Sequence, residues 1–146
     1  MAGKHPGHQT QWAAQFAVAS ELCKQDYEVA FTMGNHPDID LMVISPGGDK
    51  FVIDVKGQYK RNPWPVKEKR PRSDLYYVLA FVPKRAANRF FILSQSNMSL
   101  GLAEHIKHLR SGRIARGLST EKVGIMPCLP WSFAEKFEDK WCELPG

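Results

Sequence analysis

The sequence predicts one α/β domain, a mixed central sheet of about five strands flanked by helices. Three observations lead there. A stretch of helical spacing near the N-terminus runs into β-rich segments; two of those segments flank the turn cluster Pro46-Gly47-Gly48; and two more β-rich runs precede a second helical stretch. The 146 residues, 43% apolar and 24% charged, suit a single domain with a true core.

Residues 1–8, rich in Gly, Pro, His and Lys, read as a flexible lead-in rather than as a metal site on His5 and His8. From Thr10 to Lys24 the spacing is helical: Trp12, Phe16, Ala19 and Leu22-Cys23 fall on one stripe, with Thr10 as N-cap. Tyr27–Thr32 is β-rich, and Gly34–Asp38 is a loop by composition. After the hairpin at 40–56, Asp74–Pro83 is nearly continuous apolar and reads as a buried central strand. Arg89–Ser94 is another strand, behind the turn Lys84–Asn88. Ser96–Leu109 is a helix with Met98, Leu102, His105 and Leu109 on one face. His105 and His108 stand three apart there, a spacing that more often means a core histidine beside a surface one than a metal pair. Ser111–Gly117 reads as a basic loop and Val123–Pro130 as a connector or short edge strand. Ser132-Phe-Ala-Glu135 has capping-box spacing and would open a short helix presenting Phe133, Phe137 and Trp141. Residues 113–146 are expected as an extension packed on the core.

The hairpin is where chemistry collects. Its apolar runs are Leu41–Ile44 and Phe51–Ile53, but Asp40 opens the first strand, and Asp54 and Lys56 interrupt the second. Strand side chains alternate, so Asp54 and Lys56 share a face. A three-residue loop, Pro46–Gly48, sets Val43 opposite Phe51, Leu41 opposite Ile53 and Asp40 opposite Asp54. One face is then apolar and the other gathers two carboxylates and an amine; a shorter or longer loop would drive Asp40 onto the apolar face. Like charges facing across a sheet repel, and two carboxylates sharing a site either share a proton or bind a cation. Magnesium prefers carboxylate oxygens with water and substrate phosphate. Lys56, about 7 Å along the strand from Asp54 at ~3.3 Å per residue, could reach a phosphate there. The constellation reads as a metal site for phosphodiester hydrolysis. The tripeptide alone is more often a solvated surface.

The net charge of +5 favours a polyanion partner. It is concentrated behind the hairpin. Counting Lys56, seven basic residues (Lys56, Lys60, Arg61, Lys67, Lys69, Arg70, Arg72) stand against Glu68 and Asp74, with Tyr59 and Trp64 interleaved. Lysine and arginine neutralise phosphates and aromatics stack on bases, so Lys60, Arg61, Trp64, Lys67, Lys69 and Arg70 are candidate nucleic-acid contacts. No apolar run reaches the ~20 residues of a membrane helix. Without a visible signal peptide, and with Cys23, Cys128 and Cys142 in no metal or disulfide spacing, a cytoplasmic protein with reduced thiols is expected.

The segments Asn35-His-Pro-Asp-Ile-Asp-Leu-Met-Val43 and Phe51-Val-Ile-Asp-Val-Lys-Gly57, in the order helix, strand, hairpin, strands and helix, resemble the PD-(D/E)XK nuclease superfamily. The nearest likeness is to its Holliday-junction-resolvase-like branch. The resemblance covers roughly residues 10 to 95 and implies a restriction-endonuclease-like core. Pro37-Asp38 spells the motif literally, but Asp40 begins the strand and is preferred as the first acid, with Asp38 as an accessory.

The resemblance further implies that Asp40, Asp54 and the Val55 carbonyl hold one or two magnesium ions (Mg2+, or Mn2+), that Lys56 is catalytic, and that Gln58 contacts substrate. It also places Gln15 where related nucleases carry a glutamate on the first helix. A neutral amide binds a cation less strongly, and Glu21, six residues on and about 240° round the helix, is poorly placed to replace it. Two readings follow: a metal-dependent endonuclease acting on DNA (or RNA) in repair, recombination or restriction, and a non-catalytic nucleic-acid-binding module that keeps the fold. A third is an unrelated α/β interaction domain in which Asp54 and Lys56 are a surface ion pair. The class implies a homodimer as one arrangement, because duplex cleavage needs two active sites.

Overall fold

A computed structural model describes residues 7–146. Of the expected lead-in, residues 1–6 lie outside the described residues, and Gly7 and His8 are helical. The chain runs α1 (Gly7–Lys24), β1 (Glu28–Phe31), β2 (Leu41–Ile44), β3 (Lys50–Gln58), β4 (Trp64–Pro65), β5 (Leu75–Phe81), β6 (Arg89–Ser94), α2 (Gln95–Ala115), β7 (Cys128–Leu129) and α3 (Trp131–Ala134), then short 3-10 turns at Glu135–Phe137 and Trp141–Glu143. Five strands form a mixed sheet in the order β1-β2-β3-β5-β6, in which only the β3–β5 pair is parallel. β4 and β7 form a separate two-stranded ribbon. No helix among the described residues is long and apolar enough to cross a membrane.

The hairpin register is the one the Pro-Gly-Gly loop dictates: Leu41 opposite Ile53, Met42 opposite Val52 and Val43 opposite Phe51. Gly48 closes the turn at φ +94°, a backbone region costly for other residues. β3 and β5 are buried on both faces, as an interior parallel pair must be. One core, on the α1 side, joins Ala14, Val18 and Leu22 to Leu41, Ile53, Val55 and Val78. The other, on the α2 side, joins Met98 and Leu102 to Tyr77, Phe91, Trp64 and Leu129.

The face of α1 departs from the expected stripe. Ala14, Gln15, Val18 and Leu22 are buried, whereas Phe16 is 56% exposed, stacked on Trp12 and tilted against Phe31. Small side chains face the sheet because the helix crosses β3 closely. A β-carbon on Gly57 would lie 2.7 Å from the Ala14 β-carbon and 3.0 Å from the Thr10 carbonyl oxygen. The aromatics are left to the outside. Thr10 lies inside the helix, not at its cap.

Three further expectations shift. The basic segment 111–115 is not a loop but the last turn of α2, which ends where Gly117 turns to φ +69°. Ser132 caps nothing: α3 starts one residue earlier, behind Pro130, with no side-chain cap. The Phe133, Phe137, Trp141 stripe divides because the chain rounds the edge of β6. Phe133 and Phe137 stay on the α2 side, while Trp141 reaches Phe90 on the α1 side. The crossing is fastened by Asp139 N–H to the Phe90 carbonyl at 2.9 Å and by a bidentate Arg89–Glu138 pair at 2.7 and 2.8 Å. It covers an edge that would otherwise invite pairing with another chain.

Three outcomes are expected. Gly57→Ala destabilises by about 1–3 kcal/mol in denaturant unfolding, while Gly112→Ala, in open space within α2, is stabilising by about 0.5–1 kcal/mol. The Arg89 guanidinium holds the Glu138 carboxyl below its usual range. That stabilisation is full above the ordinary glutamate range and is lost as pH falls through the lowered value. Glu138→Gln therefore costs about 0.5–1 kcal/mol at neutral pH, a gap that closes in acid when thermal unfolding is followed against pH.

Candidate active site

β2 ends before β3 does. The ladder closes at Leu41 and Ile53, and the Asp40 N–H turns back onto the Ile53 carbonyl at 3.0 Å. Asp40 therefore lies just off the ladder rather than squarely opposite Asp54. Beyond it, the β2-facing edge of β3 from Val55 to Gly57 has no strand beside it, and buried backbone groups need partners. Side chains supply them. Asp40 Oδ2 accepts from the Val55 N–H at 2.8 Å, and the Gln11 amide donates to the Val55 carbonyl at 2.7 Å and accepts from the Gly57 N–H at 3.2 Å. Gln15, one turn along α1, donates to Asp40 Oδ1 at 3.3 Å.

Asp54, the next residue of β3 before Val55, is only 2% exposed. Lys56, two residues along the strand, lies 3.1 Å from its Oδ1. The second oxygen is held by Lys69, which arrives from the irregular segment between β3 and β5. The Lys69 ammonium also donates to the Asp38 carbonyl at 2.7 Å, lies 3.9 Å from Asp38 Oδ1 and sits 5.8 Å from the Tyr77 ring centre. Gln95 at the start of α2 fastens that segment, donating to the carbonyls of Lys69 and Arg70 and accepting from the Arg72 N–H.

Three carboxylates here face two ammonium groups, and the electrostatics reflect it. Burial, and then the charge of Asp54, push the Asp40 carboxyl up, against the opposing pull of the Val55 N–H, Lys56 and Lys69. Burial and the neighbouring carboxylates push the Tyr77 hydroxyl up to about 12, so it remains a neutral phenol. Asp40 and Asp54 are hard oxygen donors of the kind magnesium takes, and a cation, the Lys69 ammonium, is already seated among the carboxylates. Among the described residues no three His, Cys, Asp or Glu side chains form a ready-made metal group, so water and substrate oxygens would have to complete a shell.

The basic segment behaves differently from its expected part. Trp64 is fully buried against Phe91 and Trp131 and cannot stack on a base. Its apolar area does more inside the α2-side core than on a solvated loop. Lys69 is drawn into the site by Asp54, and Arg61 lies over Trp131 while pairing with Glu135 at 2.8 Å. Lys60, Lys67 and Arg70 are exposed. His36, Asp38, Lys67, Lys69, Arg70 and Arg72 line an open cleft of about 390 Å³. The Gln58 amide is turned to the Pro63 carbonyl at 3.0 Å, and the Val55 carbonyl is occupied by Gln11. Glu21 pairs with Lys24 at 3.0 Å.

Sequence reasoning missed Gln11, Lys69 as a buried partner, and Tyr77. Gln11 and Gln15 lie one helical turn apart, which was the available signal for the first. Nothing in a run of lysines and arginines distinguishes the one that is buried. The chain matches no family model, no curated protein and no solved structure.

Gln15→Glu would set a third carboxylate beside Asp40. Without divalent cation the expected cost is about 1–3 kcal/mol of folding stability. Millimolar manganese should restore it, as thermal unfolding with EDTA and with manganese would report.

Proposed function

We propose that this protein is a magnesium- or manganese-dependent endonuclease that hydrolyses phosphodiester bonds in DNA, of the PD-(D/E)XK type on a restriction-endonuclease-like core. The observation that carries this reading is a pair of acids at one end of β3: Asp40, bonded to Gln15 and to the Val55 N–H, and Asp54, bonded to Lys56 and near enough for its charge to act on Asp40. Asp40 and Asp54 would hold the metal, with the Val55 carbonyl available once Gln11 releases it. The bound ion would supply Lewis acidity and a more acidic water.

The chain's own groups do the rest. Lys56 is partly exposed beside Asp54 and can donate to a phosphate oxygen, offsetting charge that grows in the transition state. Gln15 fixes one Asp40 oxygen and the Val55 N–H the other, so that carboxylate meets a ligand already oriented. Lys67 and Arg70, exposed residues that line the cleft, would take the flanking phosphates, while Arg72 is paired with Asp74.

One feature favours a second reading, a nucleic-acid-binding module without catalysis: an amide stands where a third carboxylate would strengthen cation binding. Cleavage of plasmid, single-stranded and branched DNA with manganese separates the two. The wild type should cut, and Asp54→Asn and Lys56→Ala should each lose about 100-fold or more in rate while binding DNA nearly as well. A folded wild type that binds DNA with a steep salt dependence and cuts none of these substrates would establish the module instead.

A further inference from the structure

Lys56 and Lys69 both neutralise Asp54, but they are held differently. Lys56 is carried by a central strand. Lys69 belongs to a segment that, apart from the short β4 ribbon, has no regular structure between Lys60 and Asp74. Its ammonium nevertheless reaches the deepest position, only 12% exposed at the side chain. There it meets a carboxylate oxygen of Asp54, the carbonyl and more distantly the carboxylate of Asp38, and the face of Tyr77. That is an oxygen-rich cradle built for a cation, filled by one on a flexible stem. Its neighbours Lys67 and Arg70 point to solvent from the same segment, and Arg72 lines the same cleft.

We propose that Lys69 is a tethered cation that plugs the acidic site and must swing out before a divalent ion can be held by Asp54. This rests on the reading of Asp40 and Asp54 as a divalent-cation site and adds how that site is regulated. The plug partners the second oxygen of a buried carboxylate in the unloaded protein, the first being held by Lys56. It also couples loading to substrate. A polyanion that engages Lys67 and Arg70 pulls on the segment that carries Lys69 and gives the displaced ammonium a phosphate to meet. The ion then binds a site from which its competitor has been withdrawn.

The test is manganese titration of the full chain by calorimetry, comparing wild type with Lys69→Met and Lys69→Arg. Lys69→Met should bind about tenfold more tightly or better, because no ammonium competes, while Lys69→Arg binds no more tightly than wild type. In a second measurement, amine labelling of the wild type read by mass spectrometry should find Lys69 protected in EDTA and reactive at saturating magnesium. This arm holds even if Lys69→Met folds poorly. Wild-type binding as tight as that of Lys69→Met or tighter, together with labelling unmoved by magnesium, would overturn the plug and leave the metal site standing. Absence of binding in wild type and in folded Lys69→Met would overturn the metal-site reading, and the plug with it.

Discussion

A carboxylate buried to 2% exposure cannot stand alone, and much of this molecule is arranged around that fact at Asp54. An unpaired charge in a protein interior costs several kcal/mol even after relaxation. Here it is met by ammonium groups from two directions, one fixed by the alternation of β3 and one delivered by the excursion from β3 to β5. That excursion is a crossover between parallel strands with no helix of its own. Its shape is held by other anchors: Trp64 driven into the α2-side core, the β4–β7 ribbon beside it, and the Gln95 side chain clasping the backbone around Lys69. A segment that reads as a solvated basic loop is thus partly a structural cover.

The second organising constraint is the edge of β3. Because β2 stops short, the polar backbone of residues 55–57 would be orphaned, and α1 comes close enough to satisfy it through Gln11 while Asp40 serves the Val55 N–H. That approach needs a residue without a side chain at Gly57 and small residues on the helix. One of the groups that finish the strand edge, Asp40, is therefore also part of the acidic site. Strain or loss at one should be felt at the other, a coupling common where a site is built on the ends of rigid elements.

Much of the sheet was legible because its signals are local. The three-residue loop set the hairpin register, and alternation put Asp54 with Lys56. The apolar run 75–81 could only be an interior strand. What escaped depended on tertiary geometry. The α1 stripe was misphased because aromatic residues weigh most in a periodicity reading, yet proximity to Gly57 selects the small ones. Trp64 was taken for a stacking platform because exposure is not written in a Pro-rich basic run. Lys69 could not be told from Lys67 two residues earlier, since the difference is made by an aspartate distant in sequence. Asp40 was placed opposite Asp54 by extending the ladder one step, where the backbone in fact turns off it.

In the proposed function the acidic group around Asp40 and Asp54 is a site for a cation, filled by Lys69 when no divalent ion is held. Crystals grown with EDTA and crystals soaked in manganese, compared in anomalous difference maps, address it most directly. In the first, Lys69 should lie on Asp54. In the second, a strong anomalous peak should appear at the Asp40 and Asp54 carboxylates, with the Lys69 side chain withdrawn. Maps from manganese-saturated crystals with no peak there, and Lys69 still bonded to Asp54, would contradict it.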